Sequence, residues 1–353
     1  MTDAYGSRRI RCPLCLNWID WDRVPSVVID ETGAEQPVTS RPADPALGAN
    51  EKYAAVRRCP HSSPPHYLPD QYGAFGEPIV VGVVGNSLVG KTHLLAAMVG
   101  QMQIVTKMDA LGLEVRPLDP GIHLDFQRNY LEPFLNGRRQ LRATAIEDPN
   151  ALTYAVQVFS RRSGRAHALA FFDVSGEQLI RAQGNAFIQA VDALLFVVDA
   201  ANVPPFIGNG NEVPPDSTFE AVLTRLERQF FGDQHAGGGF VPLPAALVVA
   251  KADRLEFDAE APLRRWFSHD DDLDLSTVED ESEDVYAFLS TRGAGAWLSP
   301  VHRCLDVSLH YTSATNCEPD GDTFPRERFR QRRVFKPLLT LLAKKNVALG
   351  EVP

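Results

Sequence analysis

The sequence predicts an α/β fold: a mostly parallel central sheet clothed on both faces by helices, preceded by a small cysteine-bearing module. Continuous apolar runs at residues 79–84, 193–198 and 245–249 read as strands buried on both faces. They alternate with helix-period segments such as 219–231, which is the pattern of βαβ units. Separately, Cys12, Cys15 and Cys59, three of the five cysteines, gather at the N-terminal side.

The 353 residues suffice for a sizeable core, and the length allows two or three modules. A net charge of −10 argues against general nucleic-acid binding, because a phosphate-tracking protein is normally basic. The opening residues MTDAYGSRRIRC carry charge with no apolar run behind it, so no secretory signal is expected. No apolar stretch approaches the roughly 18 residues of a transmembrane segment, and the cytoplasm is the expected compartment.

Cys12-Pro13-Leu14-Cys15 places two sulfurs on one tight turn, and Cys59-Pro60-His61 offers a second knuckle after a Pro-, Ala- and acid-rich stretch. Zinc takes four tetrahedral thiolate or imidazole ligands in a closed structural site. Ser62 stands where a second C-x-x-C would need cysteine, so either His61, in the nearer knuckle, or His66 supplies the fourth ligand, or the site is degenerate and its cysteines are ordinary buried thiols. β-formers in 18–29 and 53–58 provide two arms, and residues 1–67 are expected to be a zinc-ribbon-like module with a long polar insert. A module this small relies on such a metal staple. Residues 68–77, with Pro and Gly, read as a linker into a main domain spanning 78–353.

The main domain opens on PIVVGVVGNSLVGKTHLLAAM: a buried strand, a turn bounded by Gly85 and Gly90, then Lys91, Thr92 and helical apolar spacing at Leu94, Leu95 and Met98. This is the G-x-x-x-x-G-K-[ST] phosphate-binding loop between strand and helix, and it predicts a P-loop three-layer sandwich. Backbone N–H groups of Gly85, Asn86, Ser87, Leu88, Val89 and Gly90 would line the phosphates, together with the helix N-terminus. Lys91 would reach the outer phosphates, and the Thr92 hydroxyl would ligate Mg²⁺.

A helix is expected from the loop to about residue 110, and another over 121–135 that breaks near Pro133 and Gly137. RRQLRATAIEDPN, residues 138–150, is polar and aperiodic and reads as a mobile loop. Strands over 152–159 and 166–172 follow, the second ending in Asp173-Val174-Ser175-Gly176-Glu177. An aspartate at the carboxyl end of a buried strand beside the phosphate loop can hold Mg²⁺, and Gly176 can offer its N–H to a γ-phosphate. Residues 177–191 are helical in pattern, 202–217 a long Pro/Gly loop and 219–231 an amphipathic helix. The strand 245–249 delivers Ala250-Lys251-Ala252-Asp253, and residues 257–284 read as a solvated acidic insertion. A last strand, 307–311, ends in Thr312-Ser313-Ala314-Thr315, and a closing helix over 335–346 covers the sheet.

The order of these motifs resembles a small-GTPase domain of the translation-factor-related class. GNSLVGKT is similar to its phosphate loop, DVSGE to D-x-x-G, AKAD to the base-recognition N/T-K-x-D, and TSAT to S-A-K/L. The cysteine knuckles, the helix ending EPFLNG and the threonine in QLRATAIEDP further resemble the bacterial zinc-ribbon-bearing double-GTPase subfamily associated with conflict and stress systems.

The resemblance implies a Mg²⁺-dependent switch that binds GTP and GDP and hydrolyses GTP, with protein partners or an activator. Asp173 and Thr144 would join Thr92 at Mg²⁺, Thr144 and Gly176 would contact the γ-phosphate, and Thr153 is a rival for the Thr144 role. Asp253 would accept from guanine N1–H and N2–H₂, Lys251 would pack over the base, and Ser313 and Ala314 would complete the base loop. Two departures stand out. Ala250 replaces the Asn or Thr that braces the base loop, and Glu177 replaces a water-orienting glutamine, so hydrolysis is expected to be slow. Arg139 and Arg142 precede Thr144, where a cis arginine could neutralise developing charge, although they read first as solvated loop cations. An ATPase or relaxed-specificity NTPase, and a nucleotide-loaded non-catalytic scaffold, are the alternatives. The sequence leaves the oligomeric state open.

Overall fold

The computed structural model describes residues 8–30, 32–38, 55–63, 65–141, 153–175, 187–204, 214–232, 239–258, 261–268 and 272–350. Its strands are β1 Arg9–Arg11, β2 Trp18–Asp20, β3 Ser26–Ile29, β4 Glu35–Pro37, β5 Val56–Arg58, β6 Tyr67–Pro69, β7 Ile79–Gly85, β8 Leu113–Pro117, β9 Tyr154–Ser160, β10 Arg165–Ser175, β11 Ala193–Asp199, β12 Val241–Ala250 and β13 Cys304–Tyr311. Its helices are α1 Lys91–Met102, α2 Val105–Ala110, α3 Pro120–Phe126, α4 Ser217–Phe231, α5 Leu263–Phe267, α6 Val278–Thr291, α7 Ser299–Arg303 and α8 Lys336–Lys344.

Seven strands form one sheet in the order β13-β12-β11-β7-β10-β9-β8. The five from β13 to β10 run parallel, while β9 and β8 are antiparallel to their neighbours. Every residue of β7 is buried, as a strand covered on both faces requires. Its side chains alternate between two cores. Val81 and Val83 join Val197 and Val248 under α1 and α8, whereas Val80 and Val84 join Phe196 and Val249 under α4 and α6. The fold is thus mixed α/β with helices on both faces of a mostly parallel sheet.

The cysteine-bearing segment has no separate core. Ile10, Ile19, Trp21 and Tyr72 lie in the same buried cluster as Val80, Val84 and Phe219. Arg57 ties the segment together, donating to Asp70 at 2.8 Å and to the Trp21 and Val24 carbonyls while stacking 5.1 Å from the Trp21 ring centre. The expected linker at 68–77 is therefore corrected. Tyr67–Pro69 pairs with β5, Leu68 and Tyr72 are buried, and Gly73 lies so close to Trp21 that a methyl there would meet the indole at 2.6 Å. Its Pro and Gly mark turns inside a packed unit, because the apolar residues between them find core to bury in.

The acidic insertion expected at 257–284 is corrected as well. Residues 278–284 open α6, where Glu279, Asp280 and Glu281 occupy the first turn and complement the positive end of the helix dipole. Glu281 is fully buried beside His310 and Arg333. The helix expected over 121–135 starts at Pro120 with Asp119 as its cap, accepting from Ile122 N–H at 2.9 Å, and it runs on past Phe126 as a π-helical stretch, Gln127–Asn136, that contains Pro133. β8 was not foreseen. LEVRP lacks a buried-strand pattern because it lies at the sheet edge, half exposed.

Candidate functional site

At the carboxyl end of β7 the chain turns through Gly85 to Gly90 into α1. The two glycines answer to different constraints. A methyl on Gly85 would lie 2.5 Å from the Val197 carbonyl oxygen of β11, so the neighbouring strand itself excludes a side chain. Gly90 caps α1 with φ +104°, which favours glycine on conformational grounds. Between them Leu88 holds φ +68° with its side chain 81 % exposed, a left-handed turn that is costly for an L residue and buries nothing in return. Val89 re-enters the core.

Lys91, 7 % exposed, curls back over the turn and donates to the carbonyls of Gly85 and Asn86, each at 2.7 Å. Asn86 fastens the turn to α4. Its amide nitrogen donates to Asp216 at 2.8 Å, its oxygen accepts from the Thr218 hydroxyl at 2.9 Å, and Asp216 caps α4 through Thr218 and Phe219 N–H. Thr92 lies in the first turn of α1, beside the Gly85–Gly90 turn.

β12 and β13 deliver the other half. Lys251, with φ +54°, follows the end of β12, and a short 3₁₀ turn, Ala252–Leu255, carries Asp253. Ser313 Oγ donates to the Asp253 carboxylate at 2.5 Å and accepts from Asn316 N–H, while Ser313 and Arg332 exchange backbone hydrogen bonds at 2.9 and 2.7 Å. Burial raises the Asp253 carboxyl above the usual carboxylate range, opposed by the Ser313 hydrogen bond. Ala314 packs against the apolar core. Lys91, Thr92, Lys251, Asp253, Ser313 and Ala314 therefore all sit at one end of the sheet, beyond the carboxyl ends of β7, β12 and β13.

The backbone of Asp173 faces Val83, so the end of β10 runs beside the end of β7. Thr153 N–H donates to the Phe171 carbonyl at 3.0 Å, which fixes it at the head of β9. Arg139 N–H is bonded to the Pro133 carbonyl. Arg142, Thr144, Gly176 and Glu177 lie outside the described residues.

Two further residues that no motif marks belong to this site. Asp199, the last residue of β11, pairs with Lys251 at 2.5 Å, and Asp216 anchors the glycine turn. The signal for Asp199 was available: it is an acidic residue ending an apolar run, the same feature that singled out Asp173.

The N-terminal cluster is a second site. Cys12, Cys15, Cys59 and His66 bring one donor atom each within 4.8 Å of one another. Cys12 Sγ lies 3.0 Å from His66 Nε2, and Cys15 Sγ 3.5 Å from Cys59 Sγ. Three soft sulfurs and one imidazole fit a structural zinc ion. His61 is corrected as the fourth ligand: its Nε2 lies 3.1 Å from the Trp18 carbonyl, outside the cluster. The Cys59 N–H to His66 carbonyl bond at 3.0 Å folds a hairpin that brings His66 inward instead. Burial pushes the Cys12 and Cys59 thiols up and the His66 imidazole down, so the imidazole is held neutral, as a ligand must be. At Cys15 burial is outweighed by hydrogen bonds from Asn17, and its thiol is pulled below the ordinary value.

No protein-family model matches the chain, and no curated protein matches it either. Among the described residues no helix is long and apolar enough to cross a membrane.

Proposed function

We propose that the chain is a cytoplasmic, Mg²⁺-dependent guanine-nucleotide switch that hydrolyses GTP slowly, and that its N-terminal cluster holds structural zinc. The reading rests on one juxtaposition: the Gly85–Thr92 turn with its inward lysine shares the carboxyl end of the sheet with the part-buried Asp253–Ser313 pair. A glycine turn whose amides and lysine suit phosphate, beside a carboxylate that suits paired N–H donors, fits a guanine nucleoside triphosphate.

In this reading, bound Mg²⁺ supplies charge neutralisation at the β- and γ-phosphates. Lys91 releases the Gly85 and Asn86 carbonyls and turns to the phosphates, and Thr92 and Asp173 hold the metal ion. Asp253, kept in place by Ser313, accepts from the guanine N1–H and N2–H₂, which adenine lacks. Thr144 and Gly176 would contact the γ-phosphate and so order their two loops, which hydrolysis would release. Glu177 in the water-orienting slot, with its like charge near the phosphate, accounts for a slow rate.

Direct binding of GTP, ATP and XTP tests the reading. GTP is expected to bind most tightly, and Asp253→Asn to move the preference toward XTP; equal affinity for GTP and ATP would overturn it. Ala250 favours the relaxed-specificity reading, in which Asp253→Asn has no effect on base preference. Phosphate release that Lys91→Ala abolishes would exclude a non-catalytic scaffold.

A further inference from the structure

Ala250 leaves the base-recognition turn without the side-chain brace that an Asn or Thr would provide. The structure contains another brace, built from the neighbouring strand. β11 and β12 are parallel and in register, with Asp199 opposite Ala250. At the next residue the backbone turns left-handed, Lys251 at φ +54°, and the side chain swings back across the strand ends. Its ammonium meets Asp199 Oδ2 at 2.5 Å and donates to the Leu88 carbonyl of the glycine turn at 2.9 Å. The stem runs alongside Gly90, where a methyl would touch Lys251 Cε at 3.6 Å. The carboxylate is itself fixed, since Asp199 Oδ1 accepts from Ala201 N–H at 2.8 Å.

We propose that Asp199 is the positioning residue of the base site. By anchoring the Lys251 ammonium it fixes the left-handed turn that carries Asp253, and it locks that turn to the loop that takes the phosphates. Three observations converge on this role. Asp199 is 7 % exposed while the Lys251 side chain is 33 % exposed, so the carboxylate is a fixed, protein-held partner for an ammonium at the surface of the site. A left-handed non-glycine residue keeps its conformation only where its surroundings over-determine it, and the Asp199–Lys251–Leu88 bridge is such a surrounding. Leu88, the left-handed non-glycine residue of the glycine turn, is held by the same ammonium. Two unfavourable backbone turns thus share one anchor, and Asp199 orients it without touching the nucleotide.

This inference rests on the guanine-nucleotide reading, and the experiment separates the two. Asp199→Asn keeps an oxygen to accept from Ala201 N–H and removes the charge that holds Lys251. Lys251→Met keeps the stem and removes the ammonium. Binding of GTP and ATP to the full chain is measured for wild type, each single variant and the double variant, with thermal melting as the control for folding. Asp199→Asn is expected to weaken GTP binding about tenfold or more, as loss of a charge-assisted bond implies, and to shrink the preference for GTP over ATP by a similar factor. A residue that merely supported the fold would weaken both nucleotides equally. In the Lys251→Met background Asp199→Asn is expected to add less than about twofold, because both changes break one bridge. An unchanged GTP preference in Asp199→Asn, or effects that multiply in the double variant, would overturn the role of Asp199. Should Asp199→Asn fail to melt cooperatively, Lys251→Met alone decides, since retention of the full GTP preference without the ammonium would overturn the bridge. A wild type that binds GTP and ATP alike would instead overturn the guanine reading, and this inference with it.

Discussion

His93, directly after the Lys91–Thr92 pair, shows how much one side chain here depends on its charge state. Its Nε2 accepts from Leu141 N–H at 3.0 Å, and its ring meets Phe134 and Phe324 edge-on. Burial, reinforced by the Lys251 charge, lowers it to about 4. A histidine held neutral in the fold but free to protonate when unfolded gives stability that is complete above its unfolded value near 6.5. That stability is lost as the pH falls toward 4, because the unfolded chain binds the extra proton first. Urea unfolding between pH 7 and pH 4 is expected to lose about 2 to 3 kcal/mol through this residue. His93→Gln, which can still accept from Leu141, should flatten that part of the profile. Asp253 is shifted in the opposite direction, and acidification acts there on binding. Its raised carboxyl must be ionised to accept from guanine, so the preference for GTP should fade on acidification at a higher pH than an ordinary aspartate would set. A pH series of GTP and ATP affinities checks this.

Elements with a strong period were legible in the sequence, and those defined by long-range partners were not. The runs that became β7, β11 and β12 announced themselves because strands buried on both faces need unbroken apolar side chains. β8 and the opening of α6 did not, since an edge strand carries little apolar pattern and an acidic first turn looks like a loop until its partners are known. Glu281 is the sharpest case. It accepts from Tyr311 N–H at 3.0 Å and Arg333 Nε at 3.2 Å, and its carboxylate lies 3.0 Å from His310 Nδ1, partners 29 to 52 positions away in the chain. Glu281→Ala would leave the Arg333 guanidinium buried without this counter-charge, and a loss of about 3 to 5 kcal/mol in urea unfolding is expected. Gly85 gives a second test of element-level packing. Its constraint is the Val197 carbonyl on the next strand, so Gly85→Ala should force β7 and β11 apart and lower stability by about 2 kcal/mol or more, whether or not nucleotide is present.

At the scale of the whole molecule, the cysteine-bearing segment and the sheet share one buried core. Pro and Gly in 68–77 read as a linker because sequence punctuation marks turns without saying what lies on either side. Leu68, Tyr72 and Trp21 bury against the face of the sheet that α4 covers, and Arg11, adjacent to Cys12, donates to the Gln189 carbonyl at 2.7 Å. The choice of His66 over His61 was likewise invisible from spacing, since it depends on the hairpin that the Cys59–His66 backbone bond closes. A metal ion at this cluster would contribute its binding free energy to the stability of the segment, and through the shared core to that of the sheet. Metal analysis of the purified protein is expected to find about one zinc per chain, retained in His61→Ala and lost in Cys12→Ser and in His66→Ala. Chelation should lower the melting temperature of the main cooperative transition, because Trp21 and Tyr72 cannot leave the common core without uncovering Val80 and Val84. A separate early transition for the N-terminal segment, with the rest of the chain melting unchanged, would mean instead that the segment folds apart from the sheet.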